Sequence, residues 1–179
     1  MPAFASVPVP DSFETRTNTT FQALMWALSR PGTLHPLPAP GMASIAEALV
    51  DRECRVHTDD PDLARTLASF GAALVPVAMA DHCFTALPTP EMLAQVAIGS
   101  ALYPDAGATV ITTATYGTGQ RLRLTGPGID THTDISLSGL AALWPIRAAR
   151  CRYPAGFDLF LICGTSVMGL PRSTQIEVL

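Results

Sequence analysis

The segment Phe157–Cys163 is the feature that most constrains the fold, because it is an almost unbroken run of apolar residues. Such a run is typical of a β-strand buried on both faces, as in sheets that are covered by helices on each side. The chain has 179 residues, a length that fits one domain. We therefore expect a single domain over residues 1–179, with this strand in a covered sheet.

Helical and strand patterns alternate through the first half of the chain, and strands cluster in the second half. The first helix is predicted from Ser12, as N-cap, to about Leu28. Its apolar face is predicted to hold Phe13, Thr17, Phe21, Leu24, Met25 and Leu28. Four more helices are predicted over residues 44–49, 61–70, 90–98 and 139–150, the last kinked at Pro145. Strands are predicted over residues 54–57, 82–87, 108–115, 120–125, 130–137, 157–163, 167–170 and 175–178.

This order predicts an α/β sandwich, with a central mixed sheet flanked by helices. The first eleven residues are rich in proline and are predicted to form an extended arm. Because the N-terminus has no basic start followed by an apolar segment, we expect no signal peptide. The longest apolar run, Ala72–Ala80, is too short to cross a bilayer, so we expect no membrane anchor and a cytoplasmic location.

Charge limits the partners that this chain can have. Charged residues make up 15% of the sequence and the net charge is −4, which is not the pattern of a nucleic-acid-binding protein. A surface so poor in charge suggests that a partner covers part of it. We therefore expect a protein partner and no nucleic acid.

All basic residues are arginines, and the sequence contains no lysine. Pyridoxal phosphate cannot form its Schiff base without a lysine, and a P-loop also needs one. We expect neither. The four cysteines, Cys54, Cys83, Cys151 and Cys163, form no CxxC pair and are interpreted as buried thiols.

Several short motifs are interpreted as structural features rather than as catalytic or binding sites. Gly117-Thr118-Gly119 lacks the third glycine of a dinucleotide fingerprint and is interpreted as a hairpin turn. Ser166 lacks the glycine that follows a nucleophilic serine at a strand–helix elbow. Cys54 with His57, and His82 with Cys83, have no second pair at zinc spacing.

Asp130, His132 and Asp134 would share one face of a strand, because strand side chains alternate. That face could bind a divalent metal, or it could be the polar side of a half-exposed strand. This face is the only feature that supports a metal-dependent hydrolase as an alternative. The polar side of a half-exposed strand is the favoured interpretation, so we expect no metal.

Two arginines lie in segments that proline makes rigid, Arg30-Pro31-Gly32 and Pro171-Arg172-Ser173-Thr174. A guanidinium beside hydroxyl groups suits an anionic oxygen, but it could equally hold carbonyls or an internal carboxylate. The turn Gly126-Pro127-Gly128 could let a ligand or a backbone approach closely, or be only a turn.

Five segments in order resemble the PhnH subunit family of the bacterial carbon–phosphorus lyase system. The match runs from about residue 11 to the end of the chain. The segments are Phe21–Gly32, Tyr103–Thr109, Gly126–Ile129, Tyr153–Leu159 and Leu170–Thr174. Two residues depart from the family pattern: Tyr153 replaces a phenylalanine, and Ser173 replaces a threonine.

The resemblance implies a role in phosphonate catabolism. Together with partner subunits, the family is needed to make α-D-ribose 1-methylphosphonate 5-triphosphate from ATP and methylphosphonate. It also implies the fold of the large domain of pyridoxal-phosphate transferases without that cofactor, a homodimer, and other lyase subunits as partners. The enzyme would be a multi-subunit transferase with ATP as a substrate of the complex.

No general base or nucleophile stands out for that reaction, in which a phosphonate oxygen displaces adenine. The residues expected to bind substrate anions are Arg30, Gly32, Gly126, Gly128, Arg172, Ser173 and Thr174. Asp158, at the start of the buried strand, is expected to play a structural or supporting role. A non-catalytic scaffold with a vestigial ligand site is the alternative.

Overall fold

The structure, a computed structural model, describes residues 9–179, so the predicted arm lies mostly outside the described residues. The α-helices are α1 (Ser12–Ser29), α2 (Met42–Leu49), α3 (Pro61–Ser69), α4 (Pro90–Gln95) and α5 (Trp144–Arg150). The strands are β1 (His35–Pro36), β2 (Arg55–Thr58), β3 (Ala73–Leu74), β4 (His82–Phe84), β5 (Thr109–Thr113), β6 (Thr115–Thr125), β7 (Thr133–Ser138), β8 (Asp158–Cys163), β9 (Ser166–Leu170) and β10 (Gln175–Val178). No helix in this part of the chain is both long and apolar enough to cross a membrane.

The main sheet has seven strands in the order β1-β9-β8-β5-β4-β2-β3. Strands β2, β3, β4, β5 and β8 are parallel, and β9 runs antiparallel to β8. This confirms the predicted mixed sheet. Strand β8 lies between β5 and β9, and its apolar run is buried as predicted, because hydrophobic layers cover both faces of the sheet.

One hydrophobic layer lies between the sheet and helices α1, α2 and α3. It includes Leu24 of α1, Ile45 of α2 and Leu67 of α3, packed with Ile111 and Phe160 of the sheet. Successive strand residues point to opposite faces, so the neighbours of these two sheet residues belong to the other layer.

The second hydrophobic layer lies on the opposite face of the sheet. Val110 and Leu159 pack there with Leu93 of α4 and Trp144 of α5. A smaller sheet of order β10-β6-β7 completes this layer, contributing Leu122 among others. The predicted flanking of a central sheet by helices is therefore confirmed.

The N-cap of helix α1 lies one residue earlier than predicted. Asp11, not Ser12, is the N-cap, and its carboxylate accepts a hydrogen bond of 2.7 Å from the backbone N–H of Glu14. The Glu14 carboxylate accepts in return from the Asp11 backbone N–H at 2.9 Å. This reciprocal capping box fixes the first turn of the helix.

The predicted apolar face of α1 is wrong at three of its six residues. The helix buries Thr20, Ala23, Leu24 and Ala27. Of the predicted face, Phe13, Phe21 and Met25 are exposed. The reason lies on β9, where a Cβ added to Gly169 would meet the Ala27 carbonyl at 2.6 Å. Helix and strand backbones approach so closely there that small side chains, rather than large ones, face the sheet.

The second half of the chain differs from its prediction at two further places. Pro145 lies in the first turn of α5, after a short 3-10 turn over Ala141–Leu143, and so interrupts no helix. Gly117 and Gly119 lie within β6, where the pairing with β7 shifts register between Tyr116 and Gln120. The predicted hairpin turn is therefore an irregularity inside a long strand.

Candidate functional site

The turn Gly126–Gly128 lies between two of the predicted anion-binding segments. A Cβ on Gly128 would lie 2.2 Å from the Ser29 carbonyl oxygen, and one on Gly126 would lie 2.9 Å from the Ser173 carbonyl oxygen. Both glycines have positive φ, 83° and 130° respectively. The turn therefore brings the end of α1 and the segment before β10 together through backbone contacts.

Gly32 and Arg30 lie at the end of α1, close to this turn. Gly32 packs on the smaller sheet, because a Cβ there would lie 3.0 Å from Leu124 Cδ1. The Arg30 guanidinium stacks on the ring of Trp26, 4.5 Å from its centroid. Arg30 is exposed and forms no ion pair with any carboxylate in residues 9–179.

Arg172 binds inside the protein to Asp158, with only 14% and 19% of the two side chains exposed. Its Nη2 donates to Asp158 Oδ2 at 2.6 Å, and its backbone N–H donates to Oδ1 at 2.7 Å. The hydrogen bonds that the Arg172 side chain donates to this carboxylate raise the pKa of Arg172 above its usual value. The local sequence left open whether Arg172 holds an anion or an internal carboxylate, and its guanidinium holds the carboxylate.

The same guanidinium also reaches backbone carbonyls. Nη1 donates to the Pro104 carbonyl, and Nη2 to the Gly107 carbonyl at 3.4 Å. Arg172 thus joins the loop before β5, the start of β8 and the segment after β9. These are three of the five segments that carry the family resemblance.

A cavity of about 310 Å³ lies between α5 and the segment Arg172–Ile176. Its lining residues are Trp144, Arg147, Ala148, Cys151, Arg152, Tyr153, Arg172, Ser173, Thr174, Gln175 and Ile176. The lining contains three arginines and no carboxylate. It includes all three of the predicted residues Arg172, Ser173 and Thr174, but neither Arg30 nor the predicted glycines.

Arg147 is the residue of this cavity that the sequence did not indicate. It is 3% exposed, and its guanidinium donates to the carbonyls of Thr174 at 2.9 Å and Pro171 at 2.7 Å. Burial lowers the pKa of Arg147, because the cation is poorly solvated there. Its position in a short helix with apolar neighbours carries no local signal of such a role.

The model of the family described as bacterial phosphonate metabolism protein (PhnH) matches residues 11–177. The chain belongs to the PhnH family. The five segments that resemble this family all lie within the matched range, so the resemblance read from the sequence is confirmed.

One similar protein is named for carbon–phosphorus lyase, and another for the synthase of a ribose methylphosphonate triphosphate. HtxG of Stutzerimonas stutzeri, named as a C-P lyase subunit protein, is 34% identical over 178 residues, covering 91% of this chain and 87% of the relative. The α-D-ribose 1-methylphosphonate 5-triphosphate synthase subunit PhnH of Rhizobium meliloti is 38% identical over 88 residues. That second match covers 46% of this chain and 43% of the relative.

In this PhnH-family chain the three residues considered for a metal site, Asp130, His132 and Asp134, do not share one strand face. Strand β7 begins at Thr133, so Asp130 and His132 precede it. The Asp134 carboxylate pairs with the guanidinium of Arg123, accepting from Nε at 2.8 Å and from Nη2 at 2.9 Å. Within residues 9–179 no group of three His, Cys, Asp or Glu side chains could hold a metal ion.

The four cysteines are free thiols; Cys83 is buried as expected, whereas Cys54, Cys151 and Cys163 are only partly buried. Cys83 is fully buried on β4, and burial raises its pKa to about 12. A thiol with so high a pKa is protonated at neutral pH and is not a nucleophile. The thiols of Cys54 and Cys163 also have raised pKa values, mainly because of burial.

Proposed function

We propose that this PhnH-family subunit acts with partner subunits to form α-D-ribose 1-methylphosphonate 5-triphosphate from ATP and methylphosphonate. The observation that carries the proposal is the family match over residues 11–177, together with the name of the Rhizobium meliloti relative. In this role the chain contributes arginines to a site that handles phosphorus oxyanions, and the complex is the transferase. The proposed location is the cytoplasm.

The proposed role needs no pyridoxal phosphate. The sequence has no lysine to hold that cofactor as a Schiff base. The fold is proposed to be that of the large domain of pyridoxal-phosphate transferases, used here without the cofactor. The seven-stranded mixed sheet between helical layers supports this assignment.

The proposal is tested by reconstitution. Partner subunits, ATP and methylphosphonate are combined with and without this chain, and the triphosphate product is followed by phosphorus NMR. We expect product only when the chain is present. Product formed at an equal rate without it would contradict the proposal.

A scaffold role is the second candidate, and one observation favours it. Arg172, the predicted clamp, is occupied by Asp158 and by backbone carbonyls. A scaffold would act only by holding the complex together, so every variant that still assembles would form product at the wild-type rate. Measuring product per assembled complex for the cavity variants described below separates the two roles.

We also propose that the chain forms a homodimer through the exposed apolar face of α1. This face consists of Phe21, Met25 and Trp26, which are 45%, 52% and 44% exposed. Aromatic residues and methionine are enriched in protein interfaces, and three together on one helix form an unusual surface for a monomer. The expected partner in the isolated protein is a second copy.

Met25→Glu is expected to convert the homodimer into a monomer at micromolar concentration. A carboxylate placed in an apolar interface loses its water without gaining a partner. Light scattering measures the mass. Ala68→Glu adds the same charge at an exposed position of α3 and should leave the dimer intact. A wild-type monomer, or a dimer that survives Met25→Glu, would contradict this interface.

A further inference from the structure

Three residues that line the cavity beside α5 carry buried polar atoms that nothing in the described chain satisfies. Trp144 Nε1, Arg147 Nε and Thr174 Oγ1 are buried and have no hydrogen-bond partner in residues 9–179. Their residues are 3%, 3% and 2% exposed, and all three line the cavity. A buried donor without a partner is costly to leave unsatisfied, so three such residues around one cavity favour a ligand that supplies acceptor atoms.

The chemistry of these atoms defines what the occupant must offer. The indole and guanidinium N–H groups can only donate, and the threonine hydroxyl can also donate. An occupant that satisfies all three must therefore supply several acceptor oxygens. Metal cations and amines do not offer this.

The charge of the lining residues also favours a ligand with acceptor oxygens. The lining contains Arg147, Arg152 and Arg172 and no acidic residue. Asp158 compensates Arg172, but neither Arg147 nor Arg152 forms an ion pair with a carboxylate in the described residues. Arg152 is exposed and Arg147 is buried. The cavity thus carries uncompensated positive charge in a protein whose net charge is −4.

We propose that this cavity binds a small phosphonate or phosphate group, with Thr174, Trp144 and Arg147 donating to its oxygens and Arg152 adding charge. A volume of about 310 Å³ lies at the lower limit for ligand pockets, which suits a small phosphonate better than a whole nucleoside triphosphate. The choice of methylphosphonate as its ligand rests on the proposed function. The oxyanion site itself rests on the cavity.

Thr174→Val is the most informative variant. Valine keeps the shape of the side chain and removes a hydroxyl that makes no hydrogen bond within the described protein. The melting temperature should stay the same or rise, because an unsatisfied buried group is removed. Affinity for methylphosphonate should fall about tenfold or more, since a hydrogen bond to a charged group is lost.

Titration calorimetry of the full chain with methylphosphonate, inorganic phosphate and sulfate is the measurement. We expect the wild type to bind methylphosphonate with a dissociation constant below about 1 mM, and more tightly than sulfate. Thr112→Val is the matched control, since Thr112 is also fully buried but lies on β5 away from the cavity. Its affinity for methylphosphonate should equal that of the wild type.

Arg152→Gln keeps the test decisive if Thr174→Val fails to fold, because Arg152 is exposed. It should weaken methylphosphonate binding severalfold, whereas Arg65→Gln, an exposed arginine on α3, should not change it. No binding by the wild type, or unchanged affinity in the cavity variants, would overturn the proposed site. Equal binding of sulfate would overturn its assignment to phosphonate.

The binding test of this site and the reconstitution test of the proposed function can give different results. If reconstitution requires the chain but calorimetry detects no phosphonate binding, the inference fails and the proposed function stands. If phosphonate binds in the cavity but reconstitution proceeds without the chain, the site stands and the proposed function fails.

Discussion

Arg172→Ala is expected to lower the free energy of unfolding by about 3 kcal/mol, because it leaves the Asp158 carboxylate largely buried without its cation. This is the lower end of the range for breaking a buried ion pair, since both side chains keep some contact with solvent. The variant also loses the bonds that connect the loop before β5 to the end of β9. Urea unfolding measures the change.

The Arg172–Asp158 pair has a matched control in Arg55–Asp81. That pair also has a guanidinium on a carboxylate, but its side chains are 53% and 37% exposed. Arg55→Ala should therefore have a much smaller effect than Arg172→Ala. Combining Arg172→Ala with Asp158→Asn should recover part of the lost stability, because the unpaired charge is removed.

Unchanged stability of Arg172→Ala would assign Arg172 a different role. If Arg172→Ala unfolds at the wild-type urea concentration yet no longer supports growth on methylphosphonate, Arg172 binds substrate rather than maintaining the fold. Co-purification with partner subunits on the same variant shows whether assembly is intact.

Gly128→Ala is expected to destabilise the protein by about 3 kcal/mol. Its φ of 83° is costly for any residue with a Cβ, and the added carbon would lie 2.2 Å from the Ser29 carbonyl oxygen. Both chain segments at this contact are backbone, so neither can turn aside as a side chain could. The strain and the clash together give the estimate.

Gly117→Ala separates these two effects. Gly117 has a φ of 87°, but a Cβ there would meet no atom within 4 Å. Its substitution should therefore show the backbone strain alone, about 1–2 kcal/mol. Thermal or urea unfolding of both variants measures the difference. Equal losses would mean that the turn moves away from α1 at no cost, contradicting a tight contact.

Some patterns within one element were predicted correctly from the sequence. The predicted start of α3 at residue 61 is correct, because an acid followed by proline is a local helix-start signal, and Asp60 caps the helix. The run at β8 was also local. The face of α1 was not, because it depends on Gly169, which follows α1 by most of the chain. Hydrophobic periodicity places large side chains inward and cannot anticipate a backbone that comes this close.

The candidate site was likewise predicted only in part from the sequence. The resemblance indicated Arg172, Ser173 and Thr174, which do line the cavity. Arg147 and Trp144 come from a helix whose apolar pattern explains them as ordinary packing. Only the folded chain brings Arg147 to the carbonyls of Pro171 and Thr174, and no spacing in the sequence encodes that distance.

The packing of α1 on β9 has a consequence for synthesis. Helix α1 covers strand β9, which is translated long after it, and β1 pairs with the same strand. Until β8 and β9 emerge, β1 and β5 each lack a neighbouring strand, and α1 lacks the strand on which it packs. Contacts between such distant segments form slowly. The nascent chain therefore exposes apolar surface of α1 until β9 has been made, long after the helix itself.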